Sequence, residues 1–153
     1  MVDGETEVLR LEVSSNPRLL GVIRGVVQVW LDLVGLAADR RHEVVLAVDE
    51  ACANCIRHAY EGRTDEPVEL LLASSPEWIE ITVSDQGRPC APERVAYRPL
   101  VAPAPHEVRP GGLGVRLIYE VFDEVIFNPG TESGNCVTMR LYRSAKNEVD
   151  GED

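Results

Sequence analysis

The chain sets Glu50, Asn54 and His58 at four-residue intervals within Glu50-Ala-Cys-Ala-Asn-Cys-Ile-Arg-His-Ala-Tyr60. On an α-helix, four residues advance the turn by only about 40°, so a carboxylate, an amide and an imidazole share one face. Val45, Val48, Cys52, Cys55, Ile56 and Ala59 fall on the other face and suit a core. Asn54 offers a hard, neutral oxygen of the kind Mg²⁺ accepts, and Mg²⁺ completes its shell with waters and substrate phosphates. Glu50, one turn earlier, is placed to orient or deprotonate a nucleophile beside such a metal. His58 can donate to a phosphate or support the loop that faces it. Taken alone, the same spacing also describes a solvated helix face.

Two further clusters carry chemistry. Asp85-Gln-Gly87 follows an apolar run, and a carboxylate at a strand end can accept from the exocyclic amine of a base while a glycine lets the backbone pass close by. Asp and Gly also dominate ordinary turns, so the same residues fit a turn. Gly111, Gly112 and Gly114 precede an apolar helical pattern, where glycines and free N–H groups at a helix start favour phosphate. No G-K-[ST] follows them, so this is not a P-loop, and the spacing is not a dinucleotide fingerprint. A tight loop into a helix is the plain alternative.

The elements that must hold these residues follow from periodicity. Glu7 to Val13 alternates and predicts a half-exposed strand. Asn16-Pro17 signals a helix start, and apolar residues from Leu19 to Val34 recur at helical spacing until Gly35. Asp39 is placed to cap the next helix, which carries the opening motif to about Tyr60. Val68 to Ala73 and Ile79 to Val83 predict a hairpin, and Arg88 to Pro110 a long loop of the kind that serves as a lid. A helix from the glycines, a strand at Val125–Phe127 and a last strand at Val137–Tyr142 complete the order. Grouped helices and hairpin-linked strands predict an α+β domain, with a mixed or antiparallel sheet covered by helices on one face.

Composition narrows the partners. A length of 153 residues with 44% hydrophobic content suits one core. The net charge of -11 argues against general nucleic-acid or anionic-membrane binding, which needs Lys and Arg. No apolar run reaches the length of a bilayer span, and the acidic N-terminal stretch lacks the order of a signal peptide, so a cytoplasmic location is expected. Cys52 and Cys55 form a single CxxC pair on the core face and are expected to be free, buried thiols.

Together and in this order, the three clusters resemble the N, G1 and G2 boxes of the GHKL ATPase superfamily, which includes histidine kinases, gyrase-type ATPases and mismatch-repair proteins. The wording E-A-C-A-N-C-I-R-H-A-Y with G-G-L-G-V-R-L-I-Y-E-V-F-D-E-V is similar to the bacterial anti-sigma-factor serine kinases, over about Thr6 to Arg143. The resemblance implies a Bergerat-type two-layer α/β sandwich, one ATPase domain over 1–143 and an acidic tail over 144–153. It implies ATP and Mg²⁺ as cofactors, with Asn54 ligating the metal and Glu50 as the catalytic carboxylate. Asp85 would bind the adenine amine, with Gly87 giving the base room. Gly112 and Gly114, helped by Gly111, would contact phosphates. Thr138 would bring a hydroxyl near adenine, His58 would lie near the phosphates, and Arg116 is a candidate for the γ-phosphate.

The implied task is to phosphorylate an anti-sigma-factor antagonist and to sequester a sigma factor, with no direct role for nucleic acid or membrane. A homodimer would cover the N-terminal strand and the bare sheet face. The segment D-Q-G-R-P-C departs from the commoner D-x-G-x-G, and the lid offers few basic residues beyond Arg94, Arg98 and Arg109. These departures keep two other readings open: a nucleotide-sensing module that switches a partner without phosphoryl transfer, and an interaction domain that has lost the nucleotide.

Overall fold

The computed structural model describes residues 4–96, 112–132 and 134–143. Strands β1 (Glu7–Ser14), β2 (Pro67–Ser74), β3 (Trp78–Asp85), β4 (Glu124–Pro129) and β5 (Asn135–Tyr142) form one sheet in the order β1-β2-β3-β5-β4. Every neighbouring pair is antiparallel, so the mixed alternative is not used. The alternation in sequence sets the two faces. In β3, Ile79, Ile81, Val83 and Asp85 point to the buried side, while Trp78, Glu80, Thr82 and Ser84 point away.

Helices α1 (Leu20–Leu33), α2 (Ala38–Asn54) and α4 (Gly112–Val121) cover the buried side, with α2 touching both of the others. Leu31, Val48, Leu70, Leu72, Ile81, Ile118, Met139 and Leu141 are among the fully buried side chains between the layers. Each contributes about 1.5–3 kcal/mol by leaving water, which fixes the helices on the sheet and with them the faces they present. Among the described residues, no helix is long and apolar enough to cross a membrane.

Helix ends follow local chemistry, with two departures from expectation. Asn16 caps a 3-10 turn, Pro17–Leu19, by accepting from Arg18 N–H at 3.0 Å, and α1 grows from that turn. Gly35 takes a φ of 85° after α1, which lets Leu36 N–H reach the Leu31 carbonyl at 3.0 Å and close the helix. Asp39 does not cap α2. The helix starts one residue earlier, after Ala37, with no side-chain cap, and Asp39 sits inside the first turn where its charge suits the helix dipole. Nor is α2 an ordinary helix to Tyr60: Cys55–Ala59 form a wider π-turn, marked by the Tyr60 N–H to Cys55 carbonyl bond at 3.0 Å.

The predicted lid loop contains a short helix, α3 (Pro92–Val95), begun by a proline at its first position. Residues 97–111, with Arg98, Arg109 and Gly111, lie outside the described residues, as does the tail 144–153. Cys52 and Cys55 are free and buried, as the helix face requires.

Candidate functional site

The end of α2 and its π-turn form a floor that touches both other clusters. At one end stands Asp85, only 4% exposed at the last position of β3. A buried carboxylate needs donors, and here its Oδ1 accepts from Gly87 N–H and from Asn135 Nδ2, each at 2.9 Å. Asn135 stands directly opposite Asp85 in the β3–β5 register. Its amide also donates to the Arg88 carbonyl and accepts from Cys90 N–H, both at 2.7 Å, so it ties the turn after β3 to β5. From the floor, the Cys55 thiol donates to Asp85. Burial first, then the Asp85 charge, raise the Cys55 pKa well above its ordinary value and keep the thiol protonated as a donor.

Gly87 serves this junction by close approach. A Cβ there would lie 2.7 Å from the Ala59 Cβ, at the end of the π-turn, and Arg88 N–H donates to the Ala59 carbonyl at 2.9 Å. The space that Gly87 leaves on this side is filled by the floor itself. Tyr60, buried, bridges the same parts: its hydroxyl donates to the Pro67 carbonyl at 2.5 Å and accepts from Gln86 N–H at 2.7 Å.

At the other end, Glu50 meets the start of α4. A Cβ on Gly114 would sit 2.9 Å from Glu50 Cδ, so only glycine lets the helix come this close to the carboxylate. The first turn of a ten-residue helix supplies free N–H groups and positive potential there. Gly112 opens that helix. Arg57 leans over the same spot, with Nη2 3.6 Å from Glu50 Oε2 and 3.4 Å from Asn54 Oδ1. Asn54 and Glu50 are partly exposed, so both remain reachable.

His58 reaches the base of the lid segment. Arg94 on α3 donates to its Nδ1 at 2.6 Å, which leaves Nε2–H as the imidazole's own donor. Burial first, then the charges of Arg94 and Arg57, lower the His58 pKa and keep it neutral near pH 7. Of the two roles open to it, loop support is the one made here.

Two predicted residues stand elsewhere. Thr138 is on the far face of the sheet, opposite Thr82 in register and 3.5 Å from its hydroxyl. Asp85 points to the helix side, so Thr138 cannot serve the same site. Alternation makes the reason plain: Val137, Met139 and Leu141 face the core, and Thr138 between them must face away. Asn135 shares their parity and stands beside Asp85 on the helix side. Arg116 is bonded to Glu120 one turn on, with Nε 2.7 Å from Oε1. It lies about 200° around α4 from Gly114, away from Glu50.

The donor set suits a hydrated divalent cation. Among the described residues, no three His, Cys, Asp or Glu side chains gather to cage a metal. What is offered is one amide oxygen at Asn54 beside the Glu50 carboxylate, and a cationic head already occupies the space before them. That matches Mg²⁺ held by few protein ligands and completed by waters and phosphates.

Comparison with known proteins bears on the same span. Residues 13–141 match the family described as histidine kinase-like ATPase domain. The serine-protein kinase RsbW of Halalkalibacterium halodurans is 30% identical over 152 residues, which cover 96% of this chain and 92% of the relative. The RsbW of Oceanobacillus iheyensis is 27% identical over 96% of this chain and 93% of its own. The anti-sigma F factor of Heyndrickxia coagulans is 31% identical over 103 residues, 67% of this chain and 69% of that one. A solved structure of the RsbU and RsbW domains of a Mycobacterium tuberculosis protein shares the fold, with a TM-score of 0.63 at 17% identity. It matches 91% of this chain, which spans only 34% of that longer one.

Proposed function

This chain belongs to the histidine kinase-like ATPase family, and from that membership we propose that it is an ATP- and Mg²⁺-dependent serine-protein kinase that acts as an anti-sigma factor. It phosphorylates an anti-sigma-factor antagonist and sequesters a sigma factor. The observation that carries the reading is the carboxylate of Glu50, held against Gly114 at the start of α4 and beside the Asn54 amide. In this reading Asp85 accepts from the adenine amine, with its orientation set by Asn135, Gly87 and Cys55. Gly111, Gly112 and Gly114 line the phosphates. Asn54 would hold Mg²⁺, which when bound neutralises phosphate charge. Glu50 takes the proton of the attacking serine hydroxyl as its oxygen bonds the γ-phosphorus, and ADP departs with the electrons of the broken P–O bond. A second copy covers the open sheet face, where Val8 and Ile126 are exposed.

The test uses purified protein, labelled ATP and the cognate antagonist. Phosphate transfer is expected, and Glu50→Gln is expected to abolish it while sparing ATP binding. Transfer unchanged by Glu50→Gln sinks the role given to that residue. One observation favours the sensor reading instead: Pro89 stands where the second glycine of the turn would be, and Arg88 before it is pinned by an ion pair to Glu61 and by its N–H to the Ala59 carbonyl. A rigid base site without transfer to any antagonist would decide for it.

A further inference from the structure

Among the described residues, Arg57 is a side chain at the centre of the site to which neither motif spacing nor the proposed reaction gives a task. Its guanidinium stands where Glu50 and Asn54 converge, 3.6 Å from Glu50 Oε2 and 3.4 Å from Asn54 Oδ1. Arg57 lies three residues after Asn54 and seven after Glu50, which is the spacing of one helix face. Both contacts are longer than a well-formed hydrogen bond, so the head is held by charge more than by geometry. Half of its side chain is exposed, at 50%, against 34% for Glu50.

We propose that Arg57 is a resident counter-cation, occupying the metal's place before nucleotide arrives and yielding it when the metal-bound nucleotide enters. The inference rests on the reading of Asn54 as the Mg²⁺ ligand. An amide oxygen facing a guanidinium must turn that lone pair to the metal instead, and two cations repel at this range. The metal therefore competes with Arg57 for one carboxylate and one amide. The cost of displacing the arginine is that of an exposed ion pair, a factor of about two to five in affinity. Its benefit is that Glu50 is never left bare, so its orientation is kept while the site is empty.

The experiment is calorimetric titration with the non-hydrolysable analogue AMP-PNP, once with Mg²⁺ and once with EDTA. It reads the dissociation constant in EDTA divided by that in Mg²⁺ and needs no turnover. Arg57→Gln is expected to raise the ratio about two- to fivefold, because the metal no longer displaces a cation. Arg57→Lys keeps the charge and is expected to stay nearer the native value. A ratio that is unchanged or lower in Arg57→Gln overturns the proposal. Asn54→Ala separates the two levels: it should bring the ratio close to one. Should Asn54→Ala leave the ratio intact, the metal reading itself fails; should it collapse the ratio while Arg57→Gln does nothing, only the counter-cation role fails.

Discussion

Gly114→Ala tests whether glycine at the start of α4 is there for the carboxylate. A Cβ at this position would lie 2.9 Å from Glu50 Cδ and 3.3 Å from Cγ, and nearer still to Oε2. Carbon atoms settle at about 3.5–4.0 Å, so the carboxyl must retreat by roughly 1 Å. The retreat is cheap for the fold, since the obstacle is the free end of a flexible side chain. Alanine gains about 1 kcal/mol of helix propensity over glycine, and overpacking costs about 1–3 kcal/mol. Net stability should thus fall by at most about 2 kcal/mol, a shift of a few degrees in Tm. The reaction is less forgiving, because a displacement of about 1 Å can cost about a hundredfold in rate. Scanning calorimetry, ATP titration and single-turnover phosphate transfer should therefore separate, with the first two nearly native and the third down by about two orders of magnitude. A native transfer rate refutes the reasoning. So does a large loss of ATP affinity with normal transfer from bound ATP, which would assign Gly114 to phosphate contact alone.

Gly87→Ala should show the opposite split. The added Cβ meets the Ala59 Cβ at 2.7 Å and its carbonyl carbon at 2.5 Å, and backbone cannot swing aside. A loss of about 1–3 kcal/mol in urea unfolding is expected, and native stability would contradict it. Asn135→Ala removes three hydrogen bonds and strips a donor from buried Asp85. We expect about 1–3 kcal/mol of destabilisation and a narrower preference for ATP over GTP in competition binding; an unchanged preference would detach Asn135 from base recognition. Cys52 gives a pH prediction. Burial, with Asp49 adding, pushes its pKa up to about 12 from 9.0, so the folded state keeps a proton that the unfolded state releases. Stability from this group is complete below pH 9 and falls as pH rises from there towards 12, by about 1.4 kcal/mol per unit. Urea midpoints should decline less steeply with pH in Cys52→Ala, and equal slopes would refute the assignment.

Much of this was legible before any coordinates. The hairpin of β2 and β3 follows from two apolar runs and a short Ser-Ser-Pro-Glu connection, and the helix face of Glu50 and Asn54 follows from spacing alone. Asn135 was not legible, because nothing local pairs it with a residue fifty positions away. Register across distant strands is a property of the assembled sheet. Thr138 was a different failure, since the alternation of Val137, Met139 and Leu141 already turned it outward. The π-turn escapes because residues 50 to 59 carry an unbroken helical pattern, while the widened turn meets a distant segment, with the Ala59 carbonyl accepting from Arg88 N–H after β3. Arg57 was visible at one-face spacing, yet its bridging position depends on how Glu50 is held from the opposite side by α4.

The sheet order β1-β2-β3-β5-β4 has a consequence for the growing chain. The ribosome releases Glu50, Asn54 and Asp85 early, with α1, α2 and the β2–β3 hairpin able to associate at once. The amide that orients Asp85 belongs to β5, which must slot between β3 and the waiting β4. Until then β3 is a bare edge and Asp85 lacks one of its donors. Long-range pairing of this kind forms slowly, after local contacts are in place. A chain interrupted during translation would thus carry Glu50 and Asn54 on their helix without the amide that finishes the surroundings of Asp85.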